Sequence, residues 1–85
     1  MTIEPEALRK CAAEFKIAKS EYDTASNRMD EAVKELKTKW EGVAQQTFYA
    51  EYETLHQYMD AFGKLVTVIC TEMNNLADEY EKADR

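Results

Sequence analysis

Leu8, Phe15, Tyr22, Met29 and Leu36 stand seven residues apart, and Cys11, Ala18, Ala25 and Ala32 repeat with the same period between them. The combined 3-4-3-4 spacing puts both series on one side of a single helix, as in a coiled-coil seam. One series is large and the other small, and small residues let a neighbouring helix approach closely. A second stretch repeats the period. Phe48, Leu55, Phe62, Ile69, Leu76 and Ala83 form one series; Tyr52, Met59, Val66, Met73 and Tyr80 form the other. The spacing predicts two long helices, over residues 5–38 and 44–82, within a single domain spanning residues 1–85.

The turn residues that a sheet would need are missing. The 85 residues include two Gly and one Pro, so an all-β or α/β fold lacks its usual turns and the chain reads as all-α. Pro5 suits a first helical turn, where its missing N–H costs nothing. Lys34, Lys37 and Lys39 suit the negative end of the first helix dipole. The pattern breaks at Trp40-Glu41-Gly42, and Gly42 reads as the stop of the first helix. A turn over residues 39–43 makes an antiparallel helix-turn-helix hairpin. With Gly42 at the centre, Leu36 faces Phe48, Met29 faces Leu55, Tyr22 faces Phe62, Phe15 faces Ile69 and Leu8 faces Leu76. The small series then meets large residues: Ala32 with Tyr52, Ala25 with Met59, Ala18 with Val66 and Cys11 with Met73. Alternating small against large is what close packing asks for.

Two helices alone offer one seam and a limited core. Tyr58, Ala61, Leu65 and Val68 form a further apolar stripe on the second helix, and Ile17 lies near Leu65 in level. These five residues are the expected dimer interface, closing two hairpins into a four-helix bundle.

Charge narrows the partners. Lys and Arg number 11 and Asp and Glu 17; residues 1–39 balance, so the net charge of −6 belongs to residues 40–85. An acidic half argues against nucleic acid and against anionic membranes. The start, Met1-Thr2-Ile3-Glu4-Pro5-Glu6, has neither the basic nor the apolar region of a signal peptide, and no apolar run approaches a membrane span.

Catalytic and metal chemistry find little support. His56 is the sole histidine, there is no Gly-rich phosphate loop, and no cofactor or small-molecule substrate is implied. The chain reads as a non-enzyme. Glu53-Thr54-Leu55-His56 has the Glu-x-x-His spacing of di-iron carboxylate bundles. That chemistry also needs inward carboxylates on the other helix, whose seam positions are apolar, and the pattern places Glu53 and His56 on the flank. Cys11 and Cys70 fall at similar levels on opposite helices and read as two buried small hydrophobes, not a disulfide. Trp40, the sole Trp, is either a plug on the bundle end or an aromatic anchor for a partner.

The run Leu36-Lys37-Thr38-Lys39-Trp40-Glu41-Gly42-Val43-Ala44-Gln45-Gln46-Thr47-Phe48 resembles the signature of the WXG family, small proteins related to the early secreted antigenic target of mycobacteria. Trp40-x-Gly42, then Ala44 and Phe48, carry the likeness. The opening Ile3-Glu4-Pro5-Glu6-Ala7-Leu8-Arg9 is also similar to family N-termini. The resemblance implies helical hairpins that dimerise into four-helix bundles. It implies export of the folded dimer by a type VII (ESX-like) system, through a membrane-bound ATPase of the FtsK/SpoIIIE class. Such a protein is made in the bacterial cytoplasm and secreted without a cleavable signal peptide. The family's export signal pairs the Trp-x-Gly turn of one chain with a Tyr-x-x-x-Asp/Glu motif in the tail of its partner. Tyr80-Glu81-Lys82-Ala83-Asp84 has that spacing, and so does Tyr49-Ala50-Glu51-Tyr52-Glu53. Trp40, Gly42, Tyr80 and Asp84 are thus the expected recognition residues. With both halves in one sequence a homodimer suffices, while a heterodimer with a related protein is also open. An adaptor role for a larger toxin, or a structural coiled-coil module with no part in secretion, are the alternative readings.

Overall fold

The computed structural model describes residues 3–83, which form two helices, α1 (Pro5–Lys37) and α2 (Val43–Ala83). They pack as an antiparallel hairpin with extents of 65 × 17 × 16 Å. Glu4 holds extended backbone (φ −68°, ψ 127°) and caps α1. Its carbonyl accepts the Ala7 N–H at 2.9 Å, and Pro5 fills the first turn.

α1 stops without glycine. Thr38 is its C-cap. The Thr38 N–H and hydroxyl both donate to the Glu35 carbonyl, at 3.1 and 2.7 Å, and the Lys39 N–H donates to Leu36. Gly42 therefore does not end α1, as the sequence pattern had implied; it opens α2. Its carbonyl accepts the Gln46 N–H at 3.4 Å, the first bond of the second helix, and its φ is +126°. A side chain is strained there although nothing lies within 4 Å of a Cβ. Gly42→Ala is expected to cost about 1–3 kcal/mol, read as a lower Tm in thermal unfolding with helix content unchanged at 20 °C.

The helices meet at the level expected from a hairpin centred on Gly42. The rings of Tyr22 and Phe62 lie 5.1 Å apart, and the Tyr22 hydroxyl donates to the Met59 carbonyl at 2.8 Å. Cys70 Sγ donates to the Ala12 carbonyl at 3.6 Å. Near the termini, Arg9 bridges to Asp78 (3.0 Å) and to Glu81.

The faces presented to the seam differ from the expectation. Cys11, Ala18, Ala25 and Ala32 are all exposed. The second seam position of α1 is instead held by Pro5, Ala12, Lys19, Ser26 and Val33, beside the half-buried Leu8 and Tyr22. On α2 the seam is Tyr52, Met59, Val66 and Met73 with Tyr49, His56, Gly63, Cys70 and Ala77. Ala12 (3% exposed) and Ala77 (0%) are the buried hydrophobics of the described residues. The physical reason is width. Each helix carries more apolar surface than one helix–helix contact can cover: on α2 one series is spent on the seam and the other faces outward, while on α1 the small series and Phe15, Met29 and Leu36 of the large one stay exposed. The small residues that permit close approach are Ala12 on α1 and Gly63, Cys70 and Ala77 on α2. At Gly63 an added Cβ would sit 3.2 Å from Lys19 Cε. Cys11 shares the outward stripe, so only Cys70 of the two free thiols is even half-buried.

The hairpin is an unfinished core. Its accessible surface is 6901 Å², against about 5,200 Å² for a compact monomer of this mass.

Candidate recognition surface

Four features of the rod could recognise something: its two ends, one apolar side and one polar side. At the turn, Trp40 is half-buried against α2. Its ring lies 5.5 Å from Phe48 and 6.1 Å from Tyr49, and Phe48 and Tyr49 are 5.3 Å apart edge to face. Lys37 Nζ sits 4.9 Å from the Tyr49 ring centroid. Offset and edge-on aromatic contacts of this kind fix orientation as well as bury area. The plug is therefore built by the first two turns of α2, leaving part of the indole outside.

Tyr80 lies on the last turns of α2, at the other end of the rod, and is 40% exposed. Asp84 lies outside the described residues. Tyr49, the other tyrosine with motif spacing, is half-buried in the aromatic cluster and its hydroxyl is buried without a hydrogen-bond partner. The termini end is further held by Arg9, which also bonds Glu6 at 2.7 Å. Hydrogen bonds donated to Glu81, Asp78 and Glu6 push the guanidinium pKa still higher than usual.

One side of the rod is apolar and open. Leu55, Phe62 (54% exposed), Ile69 and Leu76 run along α2, and Phe15, Met29 and Leu36 along α1 beside the exposed Cys11, Ala18, Ala25 and Ala32. The Tyr22–Phe62 ring contact ties the two stripes into one face. Tyr58 (72% exposed) and Leu65 border it on α2. Ala61 and Val68 each lie two residues from a seam residue, which is roughly 200° round the helix. They therefore occupy the outer back of α2, as Ile17, two residues before Lys19, does on α1. All five are exposed.

The opposite side of the seam is polar. Asp30 accepts a hydrogen bond from the Tyr52 hydroxyl, and its other oxygen lies 3.2 Å from His56 Nε2. His56 Nδ1 lies 3.4 Å from Asp60. The Tyr52 bond, with a smaller contribution from His56, holds the Asp30 carboxyl below the usual carboxylate range. The same bond to Asp30 pushes the Tyr52 phenol up to about 12. His56 thus turns into the seam and not onto the flank where the sequence pattern placed it, while Glu53 stays exposed. A search for apolar periodicity passes over this cluster. Its signal was the level match of Asp30 with Tyr52 and His56, which are one turn apart.

Among the described residues, no helix is long and apolar enough to cross a membrane. The sequence pattern of the family described as "Proteins of 100 residues with WXG" (WXG100) matches residues 1–85. The chain is 24% identical over 83 residues to protein YukE of Bacillus subtilis, covering 98% of this chain and 86% of that one. It is 26% identical over 84 residues to an uncharacterised protein of Clostridium acetobutylicum, covering 99% and 88%. Its fold is similar to the crystal structure of a secreted protein, EsxB, from Bacillus anthracis, with a TM-score of 0.87 and 28% identity, covering 100% of this chain and 97% of that one. A full-length family match, a hairpin shared from end to end and a Trp-x-Gly turn between its helices give one answer: the chain belongs to the WXG100 family.

Proposed function

We propose that this protein is exported as a folded antiparallel homodimer by a type VII (ESX-like) secretion system, recognised by a membrane-bound FtsK/SpoIIIE-type ATPase and leaving the cell without a cleavable signal peptide. The observation that carries the proposal is longitudinal. Trp40 and Gly42 sit at one end of a 65 Å rod and Tyr80 at the other, so one chain cannot offer both to a single receptor site. A second copy related by a two-fold axis across the rod places each turn beside the other chain's C-terminal end. Trp and Tyr are the residue types that anchor protein interfaces. The likeness to a secreted Bacillus anthracis protein supports the same reading.

The partner surface is the apolar face. In a two-fold antiparallel pair, α1 of one copy runs parallel to α2 of the other. The small residues Cys11, Ala18, Ala25 and Ala32 and the large residues Leu55, Phe62, Ile69 and Leu76 both repeat every seven positions. A single offset therefore seats all four large side chains against the four small ones. The size complementarity visible in the sequence is used between chains. Tyr58 and Leu65 lie at the edge of this interface, and Ile17, Ala61 and Val68 outside it. The surface of one chain, 6901 Å², exceeds that of a compact monomer by about twice the ~800 Å² that a standard interface takes from each partner.

A secretion assay separates the two tyrosine motifs. Tyr80→Ala is expected to form dimers and remain in the cell, whereas Tyr49→Phe, which deletes a hydroxyl without a bond, is exported normally. Export of Tyr80→Ala at the wild-type level rejects the tail signal. Recovery of the chain only in complex with a larger protein of the same system assigns the adaptor role instead.

A further inference from the structure

At the termini end of the rod, α2 outruns α1. With the hairpin centred on Gly42, Tyr80 is level with Glu4, and α1 begins only at Pro5. The last turn of α2 therefore overhangs the seam, and Ala77 is the last buried residue of that helix. A helix end with few tertiary contacts frays. What reaches the overhang from α1 is Arg9. In the same register Arg9 is level with Asn75. Side chains lean toward the N-terminus of their own helix, which in an antiparallel pair is toward the C-terminal end of the neighbour. Arg9 Nη2 donates to Asp78 at 3.0 Å and also to Glu81, about one and two turns further along α2 than Asn75. Its Nη1 donates to Glu6 at 2.7 Å, which braces the guanidinium from α1. Asp78 and Glu81 are three residues apart and share a helix face. Tyr80 leaves the helix roughly 100° round from Glu81, so fixing that face fixes the direction of the Tyr80 ring.

We propose that Arg9 is the positioning residue of the tail signal: by holding Asp78 and Glu81 it keeps the overhanging turn of α2 helical and docked, with Tyr80 presented at a set angle to the receptor. The inference rests on the export reading above and adds a residue from the opposite end of the sequence to it. A single exposed ion pair contributes little, whereas an arginine fork that gathers several carboxylates is the exception. Here one guanidinium with a side chain 29% exposed serves three carboxylates. Its loss removes the cross-helix tie and also leaves Glu6, Asp78 and Glu81 converging as like charges. The tie lies at the end of the rod and spares the seven-residue series of the apolar face, so dimerisation does not depend on it.

The test measures export from cells carrying the secretion system and amide hydrogen exchange of the purified protein, with Tyr80→Ala alongside. Arg9→Met keeps the aliphatic stem and removes the fork. It is expected to keep the helix content and assembly of the wild type, while the amides of residues 79–83 exchange about fivefold faster. Export should fall by a similar factor, because a receptor that reads the docked end finds less of it. Glu6→Gln, which removes only the bond within α1, should be exported normally. Arg9→Glu should be worse than Arg9→Met, and adding Glu81→Arg to it should bring protection and export back toward wild type. A direct contact between Arg9 and the receptor would not give that rescue. Export of Arg9→Met at the wild-type level while Tyr80→Ala is retained overturns the positioning role alone. Normal export of Tyr80→Ala overturns the tail signal, and this inference with it. Lost export with unchanged exchange at residues 79–83, or no recovery in the charge swap, also overturns the proposal.

Discussion

Phe62→Glu is expected to yield a folded, helical protein that sediments as a monomer at concentrations where the proposed wild-type dimer forms. Phe62 sits midway along the open apolar face and is 54% exposed in the single hairpin, so the hairpin tolerates a charge at that position. Within the chain the variant loses the Tyr22 ring contact at 5.1 Å, worth about 0.5–1.5 kcal/mol. At a two-fold interface the change occurs twice. Each lost burial of an aromatic side chain is worth about 1.5–3 kcal/mol, and each new carboxylate is desolvated besides. The dimer should weaken by about 100-fold or more, since each 1.4 kcal/mol is about tenfold. Val68→Glu, on the outer back of α2, is the matched control and should leave the dimer unchanged. If Val68→Glu dissociates the dimer and Phe62→Glu does not, the interface is the Ile17, Tyr58, Ala61, Leu65 and Val68 stripe, and the assembly assigned to the apolar face is wrong.

On the proposed function, Trp40→Ala is expected to stop export while the dimer persists. The indole packs on Phe48 and Tyr49 at the tip of the rod, beyond the seven-residue series that would meet a second copy. Its removal costs the tip a pair of aromatic contacts and leaves the length of the seam intact. Receptor binding would lose a central anchor, and such residues cost about 2–4 kcal/mol on truncation. Secreted protein should therefore fall by about 30-fold or more, with the intracellular pool stable and dimeric. Trp40→Phe, which keeps an aromatic ring in the plug, separates the two roles of this residue: restored thermal stability without restored export would assign the indole to recognition.

The hairpin was legible because its evidence is redundant. Two long heptad patterns, a break at Trp40-Glu41-Gly42 and the scarcity of Gly and Pro all demand the same two antiparallel helices. The level match of Tyr22 with Phe62 followed from placing the centre at Gly42. The rotation of each helix about its own axis was not legible. Both apolar series on each helix suit a seam equally, and a pattern of large and small residues does not say whether the complementary partner is the same chain or another. Lys19, Ser26 and Asp30 belong to neither seven-residue series, yet they line the seam, where Lys19 lies over Gly63 and Asp30 bonds Tyr52. Gly42 was recognised as the turn residue but given to the wrong helix, since Thr38 closes α1 with its own hydroxyl. Apolar periodicity is silent on such local hydrogen bonds, which is also why the Asp30–His56–Asp60 cluster escaped notice.

The central claim is that one export signal is assembled from two chains. The most direct measurement co-expresses a Trp40→Ala chain and a Tyr80→Ala chain, distinguishable by tags, in cells carrying the secretion system. Random pairing makes about half the dimers mixed. Antiparallel geometry gives each mixed dimer one end with both defects and one end with neither. The account predicts that neither variant is exported alone and that co-expression returns both tagged chains to the medium together. Mixed dimers that form in the cell and stay there would contradict it.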